Sequence, residues 1–132
     1  ITAQALAVIQ PDICHSGGLS ELKAIARLAE LHEIRVAPHN PQGPIATATA
    51  IHLDLTLPNF LIQEIAGTDF FGGWNAMQFI HAPEYEVIDG YIHKPRKPGL
   101  GIEIEDALFD TTRKPPAAPR FWDRSDFHVP EW

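Results

Sequence analysis

Asp12, His39 and Glu64 each stand at the end of a short, mostly apolar stretch, and they lie 27 and 25 residues apart. Each interval is about one β–α unit, so the three side chains occupy equivalent positions in successive units, at the carboxyl edge of a parallel sheet. Neighbouring strands run about 4.8 Å apart, so side chains at adjacent strand ends can meet. An aspartate on one imidazole nitrogen fixes the tautomer and leaves the other nitrogen as a general base. Pro38 and Pro41 flank His39 and restrict its backbone, as a base aimed at one proton requires. Glu64, if desolvated, would stay protonated and donate a hydrogen bond to a developing oxyanion. The plain alternative is that an Asp or His at a strand end only caps its loop.

Such residues need elements that hold them in register. ALAVIQ (5–10), IRVAP (34–38) and FLIQE (60–64) are expected as buried strands. Between the first two, Leu22, Ile25, Ala26, Leu28 and Ala29 recur at helical spacing. They predict an amphipathic helix over 21–32 with Ser20 as its N-cap. IATATAIHLDLTL (45–57) reads as a helix rich in small residues, ended by Pro58 and Asn59. Strand, helix, strand, helix, strand with short loops is the order of parallel βαβ units. After Gly67 the pattern changes. YEVIDGYIHKPRKPGLGIEIED is expected to hold a hairpin turning at Asp89-Gly90. The proline-rich end is expected as an extended tail packed through Phe121, Trp122 and Trp132.

Other motifs are set aside on their chemistry. LHEIR lacks the second histidine of a zinc HExxH site. PGLGIE lacks the third glycine and the following helix of a dinucleotide fingerprint. His15 is expected to be solvated in its turn, with ligand contact the alternative, and His32 and His52 are expected to be packing or surface residues on helices. Cys14, the one cysteine, is expected to be buried and inert, and a single cysteine suits a reducing cytoplasm. The chain of 132 residues carries a net charge of −7 and a pI near 5.4, which argues against a nucleic-acid or anionic-membrane surface. No apolar run is long enough to span a bilayer.

QPD (10–12), APHNPQGPIA (37–46) and IQE (62–64) together resemble motifs of the enolase superfamily, in its mandelate racemase/muconate lactonizing enzyme group. Within that group the match is to the acid-sugar dehydratases of the galactonate dehydratase type. DGYIHKPRKPGLGIEI and the closing VPEW resemble the same family's later segments. The resemblance implies an α/β fold: the C-terminal part of a (β/α)8-type barrel, about three βα units, with a tail returning to a capping domain. Residues 1–67 would be the last three strands with their helices, and 68–132 the capping and tail segment.

It also implies roles. Asp12 and His39 form the dyad with His39 as base, and Glu64 binds the substrate carboxylate as it becomes an enediolate. The implied reaction removes the proton alpha to a carboxylate and expels the 3-hydroxyl, giving a 2-keto-3-deoxy acid. Mg²⁺ is the implied cofactor, and no carboxylate cluster in this chain supplies its ligands, which are expected upstream of Ile1. The chain, opening ITAQALAV without Met, is accordingly expected to need the N-terminal part of the same enzyme or a partner chain, and not to catalyse alone. A homo-oligomer acting on a small aldonate is the expected state. The rival expectations are a racemase or dehydratase of another aldonate, a non-catalytic structural subunit, and a small βα binding module.

Overall fold

The structure is a computed structural model that describes residues 5–65, 80–110 and 112. Two parallel strands, β1 (Val8–Ile9) and β2 (Arg35–Val36), pair with Val8 opposite Arg35 and Ile9 opposite Val36. The helix between them, α1 (Leu19–Glu30), buries Leu22, Ala26 and Ala29, which lie on one stripe at i, i+4 and i+7. Together with Ile13, Ile34, Val36, Leu53 and Leu57 they form the main core. Leu22 and Val36 are completely enclosed, and each such side chain contributes about 1.5–3 kcal/mol through its removal from water.

The start of α1 differs from expectation. Gly18, not Ser20, is the N-cap residue, and Ser20 lies inside the first turn. Gly17 and Gly18 both hold positive φ (93° and 89°), a conformation that glycine adopts without steric cost. This double turn brings the chain into the helix earlier than a serine cap would. A Cβ on Gly17 would also meet Glu21 at 3.1 Å.

The second helix, α2 (Pro44–Asp54), opens with proline in its first turn, where a missing N–H is harmless. It stops short of the expected 57 because Leu55 caps it and Thr56 and Leu57 turn back onto Leu53 and Asp54. Its small residues let it pack on two sides. Ala46 and Leu53 meet the main core, while Ala48 and Ile51 join Tyr85 in a second cluster with Ala82, Ile92, Leu100 and Ile102.

The third strand is shorter than its sequence implies. Phe60 forms a single parallel bridge to Val36, closed by Val36 N–H to Asn59 O (2.9 Å) and Leu61 N–H to Val36 O (2.8 Å). Beyond it, side chains take over from the ladder: the Gln63 amide donates to Pro38 O and the Asn40 amide to Glu64 O. Pro38 and Pro41 leave no N–H for regular pairing here. The strand's entry is fixed by Asn59, whose amide donates to Ala26 O (3.1 Å) and Ile34 O (2.9 Å) and so ties α1 and β2 to one point.

In the C-terminal segment, β3 (Ile80–His81) and β4 (Glu103–Ile104) pair antiparallel. The expected turn forms at Asp89-Gly90, both at positive φ, as a two-residue hairpin turn of the primed type requires. Its arms pair only at Ile88 and Tyr91. The chain leaves because Glu84 captures the backbone N–H groups of Lys97 and Arg96, which also hold its carboxyl below the usual carboxylate range. Tyr85 donates its hydroxyl to Leu100 O and receives His52 Nε2 at 3.2 Å, joining this segment to α2. The tail expected to pack through Phe121, Trp122 and Trp132 lies outside the described residues, as does the Gly- and aromatic-rich stretch 68–79. No helix among the described residues is long and apolar enough to cross a membrane.

Candidate active site at the strand ends

The parallel sheet brings Asp12 and His39 together by the backbone itself. The two residues form an isolated parallel bridge continuing the β1–β2 pairing, with His39 N–H on Pro11 O. Side chains at bridged positions of a parallel pair emerge on the same face, and His39 Nδ1 lies 2.8 Å from Asp12 Oδ2. The carboxylate is nearly enclosed (side chain 5% exposed), whereas the imidazole is open (45%).

Asp12 accepts three hydrogen bonds. Oδ1 accepts from Cys14 N–H at 2.7 Å, and Oδ2 accepts from His39 and, at 3.4 Å, from the Gln42 amide. Burial acts to raise its pKa, but these three bonds and the nearby His15 outweigh it, and the net displacement is downward. An ionised Asp12 accepts from Nδ1–H. The neutral ring of His39 therefore carries its free lone pair on Nε2, ready to take a proton from a bound molecule.

Glu64 reaches this dyad indirectly. Its Oε2 accepts from the backbone N–H of Asn40 at 3.0 Å, the residue next to His39. Glu64 is exposed, so the described residues do not supply the desolvation that a hydrogen-bond-donor role would require. The residue that joins the two strand ends is Asn40, which is completely buried. Its side chain donates to Thr47 Oγ1 (2.8 Å) and Glu64 O (3.2 Å), so one residue fastens the loop after β2 to the third strand and to α2. Sequence reasoning passed over it. The available signal was an amide side chain placed between His39 and Pro41, where the loop needs an internal hydrogen-bonding partner.

The remaining candidates fall as follows. His15 is exposed, as expected, yet its Nε2 sits 3.1 Å from the Gln42 amide nitrogen. His52 packs through Tyr85, while His32 lies in the turn just after α1 rather than within it. Cys14 is exposed, not buried as expected, because the Asp12 turn carries it outward. It is nonetheless no activated nucleophile. What burial it has, and the Asp12 charge beside it, both push the thiol pKa up. Among the described residues no group of three His, Cys, Asp or Glu side chains could hold a metal ion.

Residues 1–108 match the enolase C-terminal domain-like family. The D-galactonate dehydratase of Verminephrobacter eiseniae is 37% identical over 136 residues, covering 100% of this chain and 36% of that protein. A mandelate racemase/muconate lactonizing enzyme from Sulfitobacter sp. superposes with a TM-score of 0.65 at 38% identity, over 77% of this chain and 24% of its own. An enolase from Pantoea ananatis, solved with bound D-gluconate and Mg, gives 0.68 at 36% identity, over 81% and 25%. The chain spans about a third of the length of the curated relatives it matches. The β1–α1–β2–α2 order with the third strand corresponds to the C-terminal part of a (β/α)8-type barrel, whose catalytic groups gather at the carboxyl ends of the strands. By sequence and by fold alike, the chain belongs to the enolase C-terminal domain-like family.

Proposed function

We propose that this chain carries the general-base side of an acid-sugar dehydratase of the galactonate dehydratase type, a hydro-lyase acting on an aldonate. The observation that carries the reading is the Asp12–His39 pair, a nearly enclosed carboxylate 2.8 Å from an open imidazole. His39 Nε2 would remove the proton alpha to the substrate carboxylate, and Asp12 would hold the ring and stabilise the imidazolium that forms. Glu64, on the Asn40 N–H, would sit on the carboxylate side of the substrate as the enediolate develops. Loss of the 3-hydroxyl then gives a 2-keto-3-deoxy acid.

An alpha proton of a carboxylate is very weakly acidic, so the dianion needs strong electrostatic stabilisation. Mg²⁺ is the cation that a relative's crystal contains. The described residues do not form its site, and its ligands would come from residues outside this chain. In this reading residues 1–67 complete a barrel with that missing part, 68–132 return to a capping domain, and the active assembly is a homo-oligomer. The test is product formation by the complete enzyme from a panel of aldonates with Mg²⁺. A 2-keto-3-deoxy acid from galactonate is expected. Formation only from gluconate would move the substrate to another aldonate, epimerisation without dehydration would make the enzyme a racemase, and no turnover of any aldonate would refute the reading.

A further inference from the structure

Gln42 lies between the dyad and a second imidazole. Its amide nitrogen is 3.4 Å from Asp12 Oδ2 and 3.1 Å from His15 Nε2. An ionised carboxylate accepts and never donates, so the amide must present its NH₂ group to Asp12. Turned over, the amide would set its oxygen against the carboxylate. The same nitrogen then offers its second hydrogen to His15, whose Nε2 must accept it. Asp12, already fixed by the Cys14 N–H and His39, thereby selects the His15 tautomer as well.

We infer that Gln42 is a positioning residue that holds His15 in the Nδ1–H form at the rim of the dyad, making His15 a hydroxyl-binding group for the polyol chain of the substrate. The hydroxyl-binding role rests on the acid-sugar reading above. A neutral imidazole with one nitrogen committed to Gln42 has one N–H left to donate. A polyhydroxylated acid, whose carboxylate end is handled by other groups, offers hydroxyl oxygens to accept it. Gln42 is half-buried and His15 exposed, so the pair faces solvent beside the dyad and not the core.

The experiment uses the complete enzyme, labelled with ¹⁵N-histidine, and reads the His15 tautomer by long-range proton–nitrogen correlation. Wild type is expected to show Nδ1–H, and Gln42→Leu to move His15 toward the Nε2–H form that a free neutral imidazole prefers. Calorimetric affinity for galactonate should fall about tenfold in Gln42→Leu and in His15→Ala, with no further loss in the double variant, as for a lost hydrogen bond in one shared network. Among variants that turn over, KM should rise by a larger factor than kcat falls. A His15 protonated on Nε2 in wild type, or one unmoved by Gln42→Leu, overturns the positioning role. Unchanged affinity in His15→Ala overturns the hydroxyl-binding role. An enzyme that binds galactonate with these shifts but dehydrates no aldonate sinks only the dehydratase reading.

Discussion

Two histidine–carboxylate pairs in this molecule have almost the same length and different surroundings. His39 Nδ1 is 2.8 Å from Asp12, and His81 Nε2 is 2.6 Å from Glu105. In the C-terminal segment both partners are about half exposed (53% and 48%), so water competes for each and salt screens the attraction. At the strand ends the carboxylate is nearly enclosed, accepts two further hydrogen bonds, and stands beside the imidazole on a backbone bridge. Contact length therefore does not separate a site from a surface pair. What separates them is whether one partner is immobilised and removed from water while the other is left open to react.

The largest effect that would break this contrast lies at Asp12. Asp12→Asn keeps the shape but replaces an acceptor by an amide, which favours the wrong tautomer of His39. The dehydration rate of the complete enzyme should fall by about 10⁴, as for the analogous change in a serine-protease triad. A loss below tenfold would mean that the enclosed carboxylate does no more for His39 than Glu105 does for His81.

A second buried carboxylate sharpens the comparison. Asp54 is 8% exposed, and neither of its oxygens has a hydrogen-bond partner among the described residues. Burial alone pushes its pKa from 3.8 to about 7. The folded state therefore prefers the protonated acid. Its contribution to stability is complete below about pH 4 and is lost as pH rises through about 7. Asp54→Asn should raise the melting temperature at pH 8 by several degrees and leave it nearly unchanged at pH 4. Equal shifts at both values would show that Asp54 finds a partner that its surroundings here do not give it.

The smallest effect belongs to the exposed pair. His81→Ala and Glu105→Gln should each change stability by less than about 1 kcal/mol, and less still in high salt, by chemical denaturation. A cost above 2 kcal/mol would make that surface pair as firmly held as the strand-end dyad.

How much of this was legible follows the same physics. Asp12, His39 and Glu64 could be placed together because a strand-end position recurs once per βα unit, and the backbone bridge between Asp12 and His39 is what that period predicts. The α1 stripe of Leu22, Ala26 and Ala29 was equally plain, since burial follows the 3.6-residue repeat. Residues that act through the loop fold were not legible. Asn40 joins His39's loop to Glu64 only because the chain bends between two prolines, and Gln42 meets Asp12 across 30 residues. Cys14 is exposed although free cysteine is usually a buried residue type, because the turn on Asp12 carries it outward. The third strand shrank to one bridge because side-chain amides, invisible to periodicity, replaced its ladder.

The most direct test of the central claim is exchange of the alpha proton of galactonate with solvent deuterium, followed by NMR, in the complete enzyme carrying His39→Asn. The side chain keeps a polar group in place but removes the basic Nε2. Exchange should vanish while Mg²⁺ affinity stays nearly unchanged, as expected of a ring that is the proposed base and not a ligand. Exchange at the wild-type rate would contradict the account and reduce His39, between its prolines, to a residue that only shapes its loop.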